Sequence, residues 1–442
     1  MRKNIELINP KNIPFFYGWI VLFAGTIGII VSIPGQTMGV SVFTDYLIEG
    51  WKLTRLQLSQ AYGIGTICSA LFLTRAGKFY DKNGALKTSI IASIILSLVL
   101  LFLPRLNHFS LFISDRFKFI SYNAVAYFMA SFGFFALRFS GQGVLTMTSR
   151  NMIMKWFNRR RGLASALMGI ITSFAFSYSP QILDIIIEEY TWQGAWIKMG
   201  IFISTFFILF QLLFYKDNPN KYKLIPDGKI INKNGNKGPI YKPIKDYDLS
   251  EAKNTYSFWI FNMSLAMVAL YYTGLTFHVV SIYNEAGISR LLAISIFLPS
   301  SIVAVFFQLI FGYLADYIKI KYLLVLEILG MITSAIGLLF LSEGFFYWIV
   351  IIGNGITIGL YNILLSVTWP RFYGTTHLGA ISGFNLSFVV AGSAAGPLLF
   401  SLSEKITGNY FISILACLIV FIIFFILSFK ADNVNEKKVK PA

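Results

Sequence analysis

The chain has 442 residues, of which 56% are hydrophobic and only 13% are charged. Soluble domains carry about 25% charged residues, so this composition excludes an ordinary soluble enzyme and indicates a polytopic membrane protein. The formal net charge of +17 is concentrated on the side of the predicted helices that holds the N-terminus. Such a distribution indicates membrane topology and not nucleic-acid binding.

Twelve apolar segments are long enough to cross a bilayer, for which about 20 helical residues suffice. By the positive-inside rule, both termini lie in the cytoplasm, and we predict a multi-pass protein of the plasma or inner membrane. We call the segments spans 1 to 12 and place them at residues 15–40, 57–76, 86–104, 121–149, 162–186, 194–215, 256–284, 291–314, 322–341, 345–369, 378–402 and 407–429.

A polar stretch between spans 6 and 7 divides the chain into two sets of six spans. It contains eight Lys, four Pro and six Asn, which is a solvated linker composition. The sequence therefore predicts an all-α polytopic membrane protein. Its predicted domains are an N-terminal six-helix bundle at 1–216, a cytoplasmic linker at 217–254, a C-terminal six-helix bundle at 255–429 and a cytoplasmic tail at 430–442.

The spans differ in how their small residues are placed. Span 1 carries Gly and Ser on one helical face, where close backbone approach lets van der Waals packing hold helices together in lipid. These residues are Gly18, Gly25, Gly28, Ser32, Gly35 and Gly39. Spans 3, 6, 9 and 12 are instead apolar almost all round, which is typical of helices that face lipid.

Two loops that follow even-numbered spans have similar sequences. Residues 77–87 after span 2 read GKFYDKNGALK, and residues 312–321 after span 8 read GYLADYIKIK, beginning 235 positions later. Matching loops in corresponding places indicate an internal repeat of six spans plus six. A carboxylate at a helix end can bond the first amides of another helix, so we predict that these loops gate the cytoplasmic side. The predicted gating residues are Gly77, Asp81, Lys82, Gly84, Gly312 and Asp316.

Span 4 contains a single charge, Arg138, in the 31 residues between Lys118 and Arg150. A guanidinium near the middle of the membrane costs on the order of 3 kcal/mol, so such residues usually face a cavity or a partner. We predict that Arg138 binds the carboxylate of a substrate or takes part in proton coupling. The alternative is a structural cation that donates to backbone carbonyls.

Other polar residues lie inside apolar spans and are candidates for orienting a substrate. Interhelical hydrogen bonds or aromatic packing are the alternative for each of them. They are Gln142 in span 4, Tyr271 and Tyr272 in span 7, and Asn354, Tyr361 and Asn362 in span 10. Histidine titrates near physiological pH, so His278 in span 7 is a candidate for proton coupling, with a capped structural histidine as the alternative.

The sequence carries no P-loop, no nucleophile elbow and no cluster of metal-ligating Cys and His. It therefore predicts neither an enzyme nor a metal or cofactor site. The expected partners are a small anion, the lipid bilayer and protons, and no nucleic acid.

The loop at residues 77–87 resembles the G-x-x-x-D-[RK]-x-G-x-[RK] loop of the major facilitator superfamily, and residues 312–321 are similar to its second copy. This resemblance implies two pseudo-symmetric six-helix bundles with a central substrate site, in which span 7 faces span 4. Arg138 with Gly141 resembles the span 4 motif of proton-coupled members. Residues 17–19 and 156–164 are similar to signatures of the monocarboxylate-porter branch and its oxalate/formate-antiporter relatives.

Members of that branch often carry further charges in span 8 or span 11, or a lysine in span 1, and this chain has none of these. A single cation matches a monoanion, since one charge neutralises one carboxylate. We therefore predict secondary active transport, with alternating access, of a small organic anion, most simply a monocarboxylate, by proton symport or anion exchange. The alternatives are a proton-driven efflux pump for lipophilic compounds and a non-transporting membrane receptor.

Overall fold

The structure is a computed structural model, and it describes residues 9–227, 245–341 and 344–435. Residues 228–244 of the predicted linker and residues 436–442 of the predicted tail lie outside the described residues. Every regular element in the described ranges is helical. Nine helices of these ranges are long and apolar enough to cross a membrane, and a shorter apolar helix precedes them. The predicted all-α polytopic architecture is confirmed.

The first half of the chain forms nine α-helices and two π-helical segments. The π-helical segments are Arg138–Leu145 and Ile203–Phe207. The α-helices are α1 Gly18–Val31, α2 Thr37–Ser41, α3 Thr44–Trp51, α4 Arg55–Phe102, α5 Leu106–Arg116, α6 Tyr122–Leu137, α7 Thr146–Trp156, α8 Arg161–Phe202 and α9 Ile208–Phe214.

The second half forms eight α-helices, which contain the predicted spans 7 to 12. They are α10 Leu249–Lys253, α11 Tyr256–Glu285, α12 Arg290–Ser295, α13 Phe297–Leu314, α14 Ile320–Leu339, α15 Phe345–Phe372, α16 Leu378–Thr407 and α17 Phe411–Ser428.

Two of the long helices run from one predicted span into the next, with one non-helical residue at the boundary. Helix α4 breaks at Gly84, with φ 80° and ψ 175°, a backbone region that is essentially restricted to glycine. Helix α8 breaks at Thr191, with φ 64° and ψ 165°, a strained conformation for a β-branched residue. The glycine of the first repeated loop is therefore needed to end span 2 and begin span 3.

The Cα positions divide the chain into two compact units. Unit 1 contains residues 9–156, 171–227 and 382–387, and unit 2 contains 157–170, 245–341, 344–381 and 388–435. Each unit thus includes one short segment from the other half of the sequence, the start of α8 in unit 2 and a turn of α16 in unit 1. The predicted domain boundaries at 216 and 255 stay a prediction.

The small residues of span 1 lie where α1 packs against α7 in unit 1. A Cβ added to Gly25 would lie 3.0 Å from the carbonyl oxygen of Ser149, and one added to Gly28 would lie 1.9 Å from the hydroxyl of Tyr215. Side chains at these positions would separate the helices. The predicted close approach of span 1 to its neighbours is therefore present.

Helix α14, which is span 9, packs against α15 and α17 in unit 2. A Cβ on Gly353 of α15 would lie 2.5 Å from the amide nitrogen of Ser334, so the two backbones nearly touch. The prediction that span 9 is a lipid-facing helix all round is wrong for this face. Its small residues bring α15 close and bury a polar stripe made of Glu327, Gly330 and Ser334.

Candidate functional site

Span 4 is not a regular α-helix at the level of Arg138. Helix α6 ends at Leu137, residues Arg138–Leu145 are π-helical, and α7 resumes at Thr146. Such π-bulges are rare and occur often at functional sites. Gly141 and Gly143 lie within the segment, and glycine disfavours a regular helix.

Span 1 is interrupted beside this segment, contrary to the continuous helix predicted at 15–40. Helix α1 ends at Val31, a 3-10 turn covers Ile33–Gly35, and Gln36 is extended before α2 begins. Pro34 explains the break, because proline has no amide hydrogen and cannot continue an α-helix. The break frees backbone carbonyls that a continuous helix would use internally.

The two irregular segments meet at a pair of glycines. A Cβ on Gly141 would lie 2.9 Å from the Cα of Gly35, and a Cβ on Gly35 would lie 2.8 Å from the Cα of Gly141 and 2.6 Å from the carbonyl oxygen of Leu137. Backbone atoms that close cannot rotate away, so only glycine is accommodated at both positions. The crossing places the Gly35 carbonyl next to the start of the π-helical segment.

Arg138 is 1% exposed, and its side chain is held by neutral groups. Its Nη1 donates to the carbonyl oxygen of Gly35 at 3.1 Å and to Oγ1 of Thr37 at 3.2 Å. The guanidinium carbon lies 5.2 Å from the ring centroid of Tyr62, whose hydroxyl donates to Thr37 at 3.1 Å. No acidic side chain of the described residues pairs with Arg138, and its buried Nε has no hydrogen-bond partner there.

These contacts bear on both interpretations of Arg138. The bond to the Gly35 carbonyl is the contact that the structural alternative predicts. A carbonyl, a hydroxyl and an aromatic face supply only partial negative charge, however, and a buried guanidinium normally requires a full counter-charge. The described residues thus supply no full counter-charge to this site.

A network of neutral polar groups adjoins the guanidinium in unit 1. The hydroxyls of Ser32 and Thr146 lie 3.1 Å apart, and Nε2 of Gln36 donates to Ser32 at 3.0 Å. The predicted residue Gln142 is half-buried, and its buried Oε1 has no partner among the described residues. Sequence reasoning missed Thr37 and Tyr62; the helix-breaking Pro34 beside a glycine was the signal that could have revealed this part of the site.

The other predicted substrate residues belong to unit 2, where two of them are joined through a residue that the sequence did not single out. The hydroxyls of Tyr271 and Ser334 lie 2.8 Å apart, and Ser334 donates to Oδ1 of Asn354 at 2.9 Å. All three residues are buried. This chain links α11, α14 and α15, which is the interhelical bonding left open as the alternative. Tyr272, the next residue along α11, is half-buried.

Tyr361 and Asn362 follow on α15 and are both half-buried. The backbone carbonyl of Asn362 accepts hydrogen bonds from the hydroxyls of Ser165 at 3.2 Å and Ser366 at 2.9 Å. Ser165 belongs to the first turns of α8, so α8 and α15 are tied together here. A substrate-binding contribution of either side chain stays a prediction.

His278 has partners at both ring nitrogens. Its Nε2 lies 3.2 Å from the carbonyl oxygen of Pro397, and its Nδ1 lies 3.2 Å from the hydroxyl of Tyr410. Since a carbonyl only accepts, Nε2 carries the hydrogen in this contact, and Nδ1 either accepts from Tyr410 or, when protonated, donates to it. The ring stacks on Phe400 with an interplanar angle of 7°. These contacts match a capped histidine and leave proton coupling a prediction.

The second repeated loop contacts the N-terminus of α8. The carboxylate of Asp316 accepts from the amides of Gly162 at 2.7 Å and Leu163 at 3.2 Å. A Cβ on Gly162 would lie 2.0 Å from the carbonyl oxygen of Gly312, so both glycines allow this approach. A negative charge is stabilised by the positive end of a helix dipole. The bond is of the kind that gating requires, and gating itself stays a prediction.

The same corner of unit 2 holds Arg371, which sequence reasoning missed. Its Nη1 donates to the carbonyl oxygen of Ala315, and its Nη2 donates to that of Ile318 at 3.1 Å. Both carbonyls follow the end of α13, where a cation is favoured by the helix dipole. Arg371 thus holds the loop that carries Asp316.

The first repeated loop is held from within unit 1. Asp217 accepts from the amide of Ala85 at 3.0 Å and from Nζ of Lys155 at 3.2 Å. The Lys155 ammonium lies 4.4 Å from the ring centroid of Tyr80. Among the predicted gating residues, Gly77 is buried, Asp81 is half-buried and Lys82 is exposed. Asp217, placed by the sequence in the linker, instead caps the helix that follows Gly84.

One residue from each of the two short motifs that resemble the monocarboxylate-porter branch meets the other within unit 1. The rings of Tyr17 and Trp156 have centroids 5.4 Å apart. Nε1 of Trp156 donates to the carbonyl oxygen of Lys216 at 2.6 Å. Tyr17 and Trp156 therefore join spans 1, 4 and the end of span 6 and form part of the scaffold of unit 1.

Comparisons with known proteins agree with this architecture. Residues 25–397 match the family model described as Major Facilitator Superfamily, and no curated protein sequence matches the chain. The structure is similar to that of the proton:xylose symporter XylE, with a TM-score of 0.64 and 11% identity over 95% of this chain and 98% of that one.

It is also similar to the fucose:proton symporter FucP of E. coli, with a TM-score of 0.59 and 12% identity over 94% of this chain and 97% of that one. A bacterial homologue of the iron transporter ferroportin gives a TM-score of 0.63 and 9% identity over 93% and 98%. Identities this low show a shared fold alone, and they confirm the predicted arrangement of twelve spans in two six-helix bundles. The branch and the substrate stay predictions.

Proposed function

The chain belongs to the major facilitator superfamily of membrane transporters, and on that premise we propose that it carries a small organic anion with one carboxylate. The protein is a multi-pass membrane transporter and not an enzyme. The observation that carries the proposal is the buried guanidinium of Arg138, which has no acidic partner among the described side chains.

A guanidinium nitrogen without a hydrogen-bond partner among the described residues supports a carboxylate ligand. Nη1 is occupied by Gly35 and Thr37, whereas the buried Nε has no partner within the described chain. An arginine fork binds a carboxylate through two parallel hydrogen bonds. Leaving a charge buried and unpaired costs several kcal/mol, so an arriving anion gains affinity by supplying the missing counter-charge. One cation neutralises one carboxylate, which favours a monocarboxylate over a dicarboxylate.

Transport then requires that access alternate between the two sides of the membrane. The Asp316 carboxylate bonded to the first amides of α8 supports a gate at the side that we propose to be cytoplasmic. Breaking these bonds releases α8 from the end of α13. The concentration of Lys and Arg on the side of the N-terminus supports a plasma or inner membrane orientation with both termini in the cytoplasm. Proton symport and anion exchange are the two modes that this arrangement serves.

The proposal is tested with purified protein in proteoliposomes loaded with unlabelled substrate. We expect counterflow of labelled small monocarboxylates, weaker counterflow of dicarboxylates and none of neutral sugars. Arg138→Gln removes the charge and is expected to abolish counterflow. Arg138→Lys keeps the charge without the fork and is expected to retain part of it.

The matched control is Arg105→Gln, which makes the same change at an exposed arginine whose Nη1 donates to the carbonyl oxygen of Leu101. It should transport as the wild type does. Equal carboxylate counterflow by the Arg138→Gln protein and the wild type would remove Arg138 from the mechanism. Counterflow of sugars without counterflow of carboxylates would overturn the anion proposal.

A further inference from the structure

Helix α14 carries a buried acid that the proposed anion site does not use. Glu327 is 0% exposed, and within the described ranges neither of its carboxyl oxygens has a hydrogen-bond partner. It lies seven residues after the start of α14, or roughly 10 Å along the helix axis. The surrounding span has a mean hydropathy of 2.1. Ionisable side chains inside membrane spans are costly and by default indicate function.

Glu327 belongs to the polar stripe that faces the tightest helix crossing of unit 2. Three residues further on, a Cβ at Gly330 would lie 2.7 Å from Oγ1 of Thr357. The Thr357 hydroxyl donates to the backbone carbonyl of Glu327 at 3.5 Å and to that of Gly353 at 2.8 Å. Glu327 therefore lies on a helix that is held against α15. The Thr357 hydroxyl donates to the backbone of Glu327 and not to its carboxyl group.

The helices packed against α14 provide no counter-charge for this acid. They are α11, α15 and α17. Their buried titratable or charged side chains are Tyr271, which bonds Ser334, Tyr283, Cys417 and Arg371, which donates to the carbonyl oxygens of Ala315 and Ile318. Their titratable side chains that are not buried are Tyr256, Tyr272, His278 and Glu285 on α11 and Tyr347 and Tyr361 on α15.

We propose that Glu327 is a proton-binding site of this transporter, neutral while it is buried against α15 and able to exchange its proton in the step of the transport cycle that brings water to it. In the buried position a carboxylate would have neither a cation nor a hydrogen-bond donor among the described residues. When water reaches the carboxyl group, the O–H bond breaks and the proton leaves to water as hydronium; on the other side of the membrane hydronium returns a proton and restores the acid. Each cycle then moves one proton with the substrate.

This inference rests on the proposed transport function and selects proton symport as its coupling mode. It also predicts that the carboxyl group of Glu327 is protonated at neutral pH in the protein without substrate. A protonated acid without hydrogen bonds gives a high-frequency carbonyl band in the infrared spectrum. We expect that band in the wild type at neutral pH, and we expect it to be absent from Glu327→Gln.

The matched control is Glu404→Gln, the same change at an exposed acid near the end of α16, which should leave the band in place. The same band in the wild type and in Glu327→Gln would overturn the inference. Glu327→Gln mimics the protonated acid in shape and charge, so it should fold. Glu327→Met, which has similar volume and no proton to lose, provides a second variant if it does not.

Flux measurements test the coupling. In proteoliposomes, Glu327→Gln should retain substrate counterflow, which needs no net proton movement, and should lose accumulation driven by an imposed pH gradient. Glu404→Gln should retain both. The proton-coupling role of Glu327 would be overturned by either of two results. One is substrate accumulation at the wild-type level in Glu327→Gln, and the other is a folded Glu327→Gln protein that loses counterflow as well as accumulation. If the wild type transported no carboxylate, only the proposed substrate would be refuted. The infrared band would still show whether Glu327 is protonated.

Discussion

The crossing of Gly35 and Gly141 determines where the guanidinium of Arg138 finds its backbone acceptor, and it makes a quantitative prediction. We expect Gly141→Ala to destabilise the protein strongly. The new Cβ would lie 2.9 Å from the Cα of Gly35 and 3.2 Å from the carbonyl oxygen of Ser32. Both neighbours are backbone atoms, so relief requires that the two segments move apart.

The size of the effect follows from two contributions. Inserting a methyl group into a packed interior typically costs about 1–3 kcal/mol. Moving Gly35 also stretches the 3.1 Å hydrogen bond from Arg138 to its carbonyl, and a hydrogen bond to a charged group contributes about 1.5–3 kcal/mol. We therefore expect Gly141→Ala to lower the free energy of unfolding by about 2.5–6 kcal/mol.

The assay is denaturant-induced unfolding of the purified protein in detergent micelles. Gly63→Ala is the matched control, because a Cβ at Gly63 in α4 meets no atom within 4 Å. In an open helical position, alanine stabilises by about 0.5–1 kcal/mol relative to glycine. The two variants should therefore shift the unfolding midpoint in opposite directions. Equal midpoints for Gly141→Ala and the wild type would show that the crossing is not tight and would refute the account of the Arg138 site.

Three further predictions concern other contacts. Asp316→Asn removes a negative charge from the N-terminus of α8, where such a charge contributes about 0.3–1 kcal/mol of stability. It should speed hydrogen exchange of the Gly162 amide. Unchanged exchange would contradict the contact between Asp316 and α8. Tyr271→Phe removes the hydroxyl that is hydrogen-bonded to Ser334 of span 9. It should lower the free energy of unfolding by about 1 kcal/mol in the same denaturant assay. An unchanged free energy of unfolding would show that this hydrogen bond is not formed. The pKa of Asp248 is lowered, mainly because its carboxylate accepts from the Glu251 amide. The Asp248 carboxylate therefore caps α10 above the ordinary carboxyl pKa, and this cap is lost as the pH falls through the lowered pKa. Protection of the Glu251 amide from hydrogen exchange should decrease over that acidic range. Constant protection would contradict the cap.

The amino-acid sequence determined the number of spans and the repeat, and it placed Arg138 within span 4. Each of these depends on properties that add up along the chain, because transfer to lipid is governed by the apolar content of about 20 successive residues. The repeated loops at Gly77 and Gly312 could be matched for the same reason, since a motif is a local pattern. These features were sufficient for the fold.

The tertiary structure decided which face of each helix meets another helix. Span 9 is so apolar overall that its composition hides Glu327 and Ser334. Both are buried in the structure, where α14 packs against α15, α17 and α11. Likewise the sequence placed Arg138 in the membrane without its acceptors, because Gly35 and Thr37 are about 100 positions away in the chain. Hydropathy is a sum over neighbours in sequence, whereas a hydrogen bond or a buried charge depends on neighbours in space, which only long-range packing provides.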